Sequence, residues 1–346
     1  MPRYKNAVML LNVGQETRSR AAPVRLPHVL YLAGVGRTGS TLLGQTLGYI
    51  PGAIFVGELS QFWHRFASSE LCSCGQALPD CQFWSTVISE GFGELKAEDA
   101  RILGELEWRL RLRQSISSLL PMRRKTTIPK RFQAIADARA RLYCSIASVA
   151  QADWVVDSGK DPWIGAIIGR LCKGNFGAVH IVRDPRGVAF SWAKLVKSDS
   201  EPGFMLRRHP AKVATSWLVR NLVIQFTLRH LSAFYVRVRY EDLATDPEAV
   251  VREIAHPMGI RADLFPVKES REGLRYDLHW VAGNPGVRQS SRSPLKIKLD
   301  EEWRDRLPQV QRWLVTIICG ALLPFYGYPL SYTGKARLHS RWSLSR

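Results

Sequence analysis

Val29-Leu30-Tyr31-Leu32-Ala33-Gly34-Val35-Gly36-Arg37-Thr38-Gly39-Ser40-Thr41-Leu42-Leu43 decides the fold of this chain. The apolar run from Val29 to Ala33 reads as a short buried strand. Glycines at 34, 36 and 39 end it. Leu42, Leu43, Thr46 and Leu47 then recur at helical spacing until Pro51-Gly52 stops the helix. A glycine-rich turn between a strand and a helix aims backbone N–H groups, and the positive end of the helix dipole, at an anion.

Further strands follow outward from this core. Ala53 to Val56 ends at Gly57-Glu58, and Trp154-Val155-Val156 leads into the turn Asp157-Ser158-Gly159-Lys160-Asp161-Pro162. Ala178 to Val182 leads into Arg183-Asp184-Pro185-Arg186 and a helix, with Asp184 and Pro185 placed as cap and first helical residue. A long helix covers about 210–232, and Phe234 to Val238 leads into Tyr240-Glu241-Asp242-Leu243. Residues 97–150 read as two helices split by Pro121 and Pro129, and residues 71–84 as a loop. Strands alternating with helices imply an α/β fold with a parallel sheet, and its C-terminal edge is where ligands bind. The expected organisation is a basic arm over 1–27, one domain over 28–330 with a helical insertion at about 85–150, and a basic tail over 331–346.

Three chemistries use the phosphate loop. Gly34-x-Gly36-x-x-Gly39 fits the dinucleotide fingerprint, with Glu58 near the place of a ribose-binding acid. Arg37 inside the loop and the hydroxyl pair Ser40-Thr41 argue against it. Gly34-x-x-x-x-Gly39-Ser40-Thr41 is a Walker A motif with its lysine replaced by Ser40, so a nucleoside triphosphatase or kinase loses its main positive contact. The third chemistry rests on Gly36-Arg37-Thr38-Gly39-Ser40-Thr41-Leu42-Leu43, which resembles the 5′-phosphosulfate loop of the sulfotransferase superfamily. Arg183-Asp184-Pro185-Arg186-Gly187-Val188-Ala189-Phe190-Ser191 resembles that superfamily's 3′-phosphate segment, and it favours this chemistry over the other two.

The resemblance implies a P-loop-like parallel sheet flanked by helices. It also implies an enzyme moving a sulfuryl group from 3′-phosphoadenosine 5′-phosphosulfate to an acceptor hydroxyl on a carbohydrate, glycolipid, natural product or tyrosine. In it Gly36, Arg37, Thr38, Gly39, Ser40 and Thr41 hold the 5′-phosphosulfate, and Arg183 and Ser191 hold the 3′-phosphate. Tyr240, in the Tyr-Glu-Asp-Leu segment, lines the adenine pocket. His279 to Pro285 with Arg288, and Leu71 to Gly75 with Cys81 and Phe83-Trp84, resemble segments of the bacterial branch, and Arg288 is expected to join Arg37, Lys160 and Arg183 as a cation for the donor. Leu42 stands where cytosolic small-molecule sulfotransferases carry a tryptophan, which argues against a phenol or steroid type. Lys160 and Glu58 resemble the lysine and the base of tyrosylprotein sulfotransferases. With Arg37 they form the expected catalytic set. Burial beside Ile54-Phe55-Val56 and Phe62-Trp63 is expected to tune Glu58, and His279 is the rival base.

Cys72, Cys74 and Cys81, with His64 upstream, offer ligands for zinc, but the C-x-C-x6-C spacing is not a usual finger or ribbon. A disulfide is the second option. Packed thiols are the expectation, with no metal required. Six cysteines in 346 residues make no disulfide scaffold, and the N-terminus shows no secretory signal. Trp313 to Leu323 is too short to span a bilayer and is expected to be a buried helix ending at Pro324. A cytoplasmic protein follows from these readings.

The net charge of +19 predicts attraction to anions. Residues 101–141 hold eleven basic and three acidic residues, including Arg109, Arg111, Arg113, Arg123, Arg124 and Lys125. No helix-turn-helix, finger or RNA-binding signature accompanies them, so nucleic acid is not the expected partner. Peripheral contact with an anionic membrane, or an anionic acceptor, accounts better for the surplus.

Overall fold

The computed structural model describes residues 26–117, 133–195, 206–260, 279–283 and 298–331. The described residues open with β1 (His28–Gly34), α1 (Ser40–Leu47) and β2 (Ala53–Gly57), then a 3-10 turn (Leu59–Gln61) and α2 (Phe62–Ala67). Helices α3 (Gln82–Phe92), α4 (Ala97–Ser117) and α5 (Gln133–Ala150) precede β3 (Trp154–Lys160). Then come α6 (Pro162–Leu171), β4 (Phe176–Val182), α7 (Pro185–Ala193), α8 (Pro210–Leu231) and β5 (Phe234–Arg239). Among the described residues, helices α9 (Tyr240–Thr245), α10 (Pro247–Ala255), α11 (Trp303–Arg306) and α12 (Gln309–Cys319) and a 3-10 turn (Pro324–Tyr326) follow.

The five strands form one parallel sheet in the order β2-β3-β1-β4-β5. This order bears on the dinucleotide reading. In the dinucleotide fold β2 lies beside β1; here β3 lies between them.

Both sheet faces are covered. Val29, Tyr31 and Ala33 point into one hydrophobic layer, and Leu30 and Leu32 into the other. This alternation within a continuous apolar run is what a strand buried on both sides requires. Several helices start at an acid-proline pair. Asp161 accepts from the Trp163 and Ile164 amides, Asp184 from Arg186 and Asp246 from Ala249, each followed by proline at the first helical position.

Two expectations change. β3 runs on to Lys160 instead of turning at Asp157, because the Asp157 carboxylate is buried as an acceptor for the Leu59 amide and the Tyr143 hydroxyl. A register shift between Tyr31 and Ala33 gives β3 an extra residue against β1, a bulge that re-aims the strand end. The helix expected to be buried from Trp313 is α12, and only one face packs. Val315 and Cys319 are buried, whereas Val310, Trp313 and Ile317 are 80%, 55% and 75% exposed. Apolar residues surround this helix, but only one side meets α7 and α8. No helix of the described residues is long and apolar enough to cross a membrane.

Two helices, α4 and α5, stand in the 97–150 stretch read as helical. Within the basic run Arg139 is no surface charge: it is fully buried, with its Nη2 2.7 Å from both Glu107 carboxylate oxygens. Arg109 is exposed. The side chains of Arg111, Arg113, Arg123, Arg124 and Lys125, residues 1–25, Arg288 and the tail from 332 lie outside the described residues.

Candidate active site

The loop Val35 to Gly39 joins β1 to α1. Gly39 is the N-terminal flanking residue of α1 at φ 84°, and no side chain caps that helix. The amides of its first turn therefore keep their capacity for an anion. Gly39 cannot carry a side chain, since a Cβ there would lie 2.7 Å from the Tyr240 ring. Thr38 turns inward and donates to the Val35 carbonyl at 2.8 Å, so its hydroxyl braces the loop. Arg37 sits at φ 73° and Lys160 at φ 61°. Left-handed backbone at a non-glycine residue costs about 1–3 kcal/mol each and clusters at functional sites.

One cavity of about 530 Å³ lies over the C-terminal edge of the sheet. Its walls include Gly36, Arg37, Gly39, Ser40 and Thr41 from the loop, Glu58 beyond β2, Lys160 from β3, Arg183 beyond β4, Ser191 from α7 and Tyr240 from α9. The structure thus brings together all the expected site residues that it describes, except the Thr38 side chain.

Glu58 lies just past Gly57, whose φ of 78° turns the chain out of β2. A Cβ at Gly57 would stand 2.2 Å from the Val281 carbonyl oxygen, so close backbone approach and positive φ both demand glycine. Lys160 Nζ donates to Glu58 Oε1, and Gln61 Nε2 donates to Glu58 Oε2 at 2.7 Å. Glu58 is buried, and its neighbours Val56, Phe62 and Trp63 belong to one core layer and Phe55 to the other. Polar donors meet its carboxylate. Behind the Glu58 turn, burial pushes the Asp157 carboxyl up to about 6. Burial lowers the Arg37 guanidinium, with Glu58 opposing the shift.

Arg183 lies beneath the other end of the cavity. Its Nη1 donates to the Arg37 carbonyl at 3.2 Å, its Nη2 to the Asp300 carbonyl at 2.9 Å, and its guanidinium stacks 4.3 Å from the Tyr240 ring centroid. Asp300 Oδ2 is 3.2 Å from the same Nη2. Burial works against ionisation of Asp300, but Arg183 and Lys194 hold its carboxyl below the usual range. The Tyr240 hydroxyl donates to the Lys298 carbonyl at 3.1 Å and accepts from the Asp300 amide at 3.2 Å. Tyr240 is therefore more than an aromatic wall, because it also fastens the 298–300 segment. Next to it Glu241 is buried. It accepts from the Asp184 amide and the Tyr328 hydroxyl, and burial beside Asp184 pushes its carboxyl up to about 7.

His279 does not line this cavity. Its Nδ1 lies 3.2 Å from Cys81 Sγ and 3.8 Å from Cys72 Sγ. His64, counted with the cysteines on sequence grounds, sits against Gly104 instead.

The sequence matches the model described as "Sulfotransferase family" over residues 30–263, more than half of the chain. The chain belongs to the sulfotransferase family. It is also 30% identical over 179 residues to carbohydrate sulfotransferase 5 of Mus musculus, which spans 44% of this chain and 42% of that protein. The match thus covers less than half the length of that relative. Among solved structures, the sulfotransferase domain from the curacin biosynthetic pathway aligns with a TM-score of 0.48 at 19% identity, covering 88% of this chain and all of that one.

The sulfotransferase cavity holds charges that no motif announced. Arg65, Arg208, Arg220 and Lys298 also line it, so seven cationic side chains face Glu58 and Asp300. Trp192 lies between the Arg37 and Arg208 guanidinium groups, at 5.2 and 4.4 Å. Val213, Ser216 and Arg220 share one face of α8 at helical spacing, a sequence signal that was present but unspecific. A second cavity of about 280 Å³ shares Ser60, Gln61 and Arg65 with the first and extends to Glu70, Glu107 and the half-exposed Trp108.

Proposed function

We propose that this sulfotransferase moves a sulfuryl group from 3′-phosphoadenosine 5′-phosphosulfate to an acceptor hydroxyl. One observation carries the reading: Arg37, Glu58, Lys160 and Arg183, from four separate strand ends, line the same cavity together with Ser191 of α7. The residues fit the donor. The uncapped start of α1 with Ser40, Thr41 and Arg37 suits the 5′-phosphosulfate, and Arg183 with Ser191 suits the 3′-phosphate. Tyr240 borders the adenine end. The donor supplies an activated sulfuryl group whose departing phosphate gains negative charge.

The protein's own groups do the rest. Glu58 takes the proton released as the acceptor oxygen bonds to sulfur. Arg37 and Lys160 oppose the charge that develops on the phosphate oxygen as its bond to sulfur breaks, and such preorganised electrostatics are the largest expected contribution. Lys160 also holds Glu58 before the reaction begins.

The cavity toward Trp108 is the acceptor entrance in this reading. An exposed aromatic ring beside Gln61, Arg65 and Glu70 offers an apolar face among polar groups. The name of the mouse relative points to a carbohydrate; glycolipid, natural-product and tyrosine hydroxyls are the other acceptor classes. Incubation with sulfur-labelled donor and one acceptor of each class tests the reaction. Label is expected in an acceptor with the native protein and not with Glu58→Gln. Equal labelling by both proteins would remove Glu58 as the base.

A further inference from the structure

The turn from Cys72 to Cys81 meets the segment His279–Gly283 beside the Glu58 corner, and none of Cys72, Cys74, Cys81 and His279 lines the reaction cavity. Cys72, Cys74 and Cys81 are free thiols. Their sulfur atoms and one nitrogen of His279 all lie within 4.8 Å of one another. Cys74 Sγ is 3.7 Å from Cys81 Sγ, and His279 Nδ1 is 3.2 and 3.8 Å from Cys81 and Cys72 Sγ. A tetrahedron with metal–sulfur bonds of about 2.3 Å and a metal–nitrogen bond of about 2.0 Å has edges of roughly 3.5–3.8 Å. The separations of 3.7, 3.2 and 3.8 Å lie close to those edges. Three sulfurs and an imidazole at such spacing favour zinc among the common cations.

The surroundings are those of a ligand set held in place. The Cys72 amide donates to the Gln76 carbonyl at 2.8 Å and the Gly75 amide to the Cys72 carbonyl at 3.0 Å, closing a tight turn that places Cys72 and Cys74 together. Cys81 immediately precedes α3, and its amide donates to the Ala77 carbonyl at 2.8 Å. The Phe83 ring stacks on His279, with centroids 5.3 Å apart and planes 10° from parallel, fixing the direction of the imidazole. A disulfide would use only two of the three thiols and give the imidazole no role.

We propose that Cys72, Cys74, Cys81 and His279 form a tetrahedral site for one Zn²⁺, with a structural role. Four protein ligands leave no open coordination position, which separates this site from a catalytic zinc. Binding displaces a proton from each thiol that enters as thiolate. What the metal holds is visible in the backbone. The Trp280 amide donates to Ser73 Oγ at 2.9 Å, and the Ser73 amide to the Trp280 carbonyl at 3.2 Å. The Val281 amide donates to Val56, and the Glu58 amide donates to Val281. The zinc thus pins the cysteine turn to the strap that fixes the backbone of Glu58 and brings Gly283 to the cavity wall.

The proposal is independent of the donor and of sulfuryl transfer. Its test is elemental analysis of the full chain purified without chelator, followed by cobalt exchange under reducing conditions. One zinc per chain is expected, with the intense visible bands of a tetrahedral thiolate site after Co²⁺ replacement. Cys74 is exposed, so Cys74→Ser leaves the core intact, and it is expected to hold well below one zinc per chain and to lose the strong bands. Cys144→Ser, outside the cluster, is expected to keep both. Reduced native protein that takes up neither Zn²⁺ nor Co²⁺ stoichiometrically would overturn the proposal. So would a native Cys74–Cys81 disulfide found by mass spectrometry, or a Cys74→Ser protein that keeps native metal content and spectrum.

Discussion

Lys160 Nζ donates to Glu58 Oε1 across 102 residues of sequence, joining the end of β3 to the corner beyond β2. The pair lies at the wall of a cavity whose other charged side chains are all cationic except Asp300. Replacing the carboxylate by its amide keeps the shape and the bond from Lys160 but removes the proton acceptor. Glu58→Gln is therefore expected to lower kcat by about 10²–10⁴-fold. The affinity for 3′-phosphoadenosine 5′-phosphate should stay within a few-fold of native. Single-turnover kinetics beside equilibrium binding separate the two effects.

Arg183 meets two demands, the Asp300 carboxylate and the Tyr240 ring. A hydrogen bond to a charged group contributes about 1.5–3 kcal/mol. Arg183→Ala is expected to weaken donor-product binding by at least roughly tenfold. Asp300→Asn removes the internal competitor for that guanidinium and is expected to tighten binding. Parallel titrations of both variants check the opposite signs.

Gly57 has no room for a side chain. A methyl there would strike the Val281 carbonyl and must adopt a left-handed backbone. Gly57→Ala is expected to cost at least about 2 kcal/mol of stability, read by urea unfolding.

The pH dependence of stability has a readable sign at Glu241. Its carboxyl is pushed from 4.5 up to about 7 by burial beside Asp184. A carboxyl raised in the folded state stabilises fully below its unfolded value, and that contribution is lost as pH rises through the folded one. Glu241→Gln stays neutral throughout. Its amide still accepts from Asp184 or donates to the Tyr328 oxygen, whose own hydroxyl reaches the Val182 carbonyl at 3.3 Å. Between about pH 5 and pH 8 the native protein is expected to lose up to about 3 kcal/mol relative to this variant. Unfolding curves at a series of pH values check it.

The readable parts of this molecule were contiguous. The phosphate loop, the Arg183 to Ser191 segment and Lys160 each follow an apolar run that announces a strand. Sheet geometry then brings such strand ends to one edge. Arg65, Arg208, Lys298 and Asp300 carry no local signature and Arg220 only the unspecific spacing of α8, because they reach the cavity from helices, the stretch before α8 and a late segment folded over it. The cysteine cluster was half visible. Three cysteines stand within ten residues, but the ring that completes the set lies 198 residues beyond Cys81. The exposed stripe on α12 was hidden for another reason. Apolar periodicity shows which face of a helix can be buried, and only the neighbours decide which face is.

The most direct test of the account is isothermal titration of the full chain with 3′-phosphoadenosine 5′-phosphate, NADH and ATP. The account predicts micromolar binding of the first alone, greatly weakened in Arg183→Ala. Comparable binding of NADH or ATP, or an Arg183→Ala protein that binds 3′-phosphoadenosine 5′-phosphate as the native chain does, would contradict it.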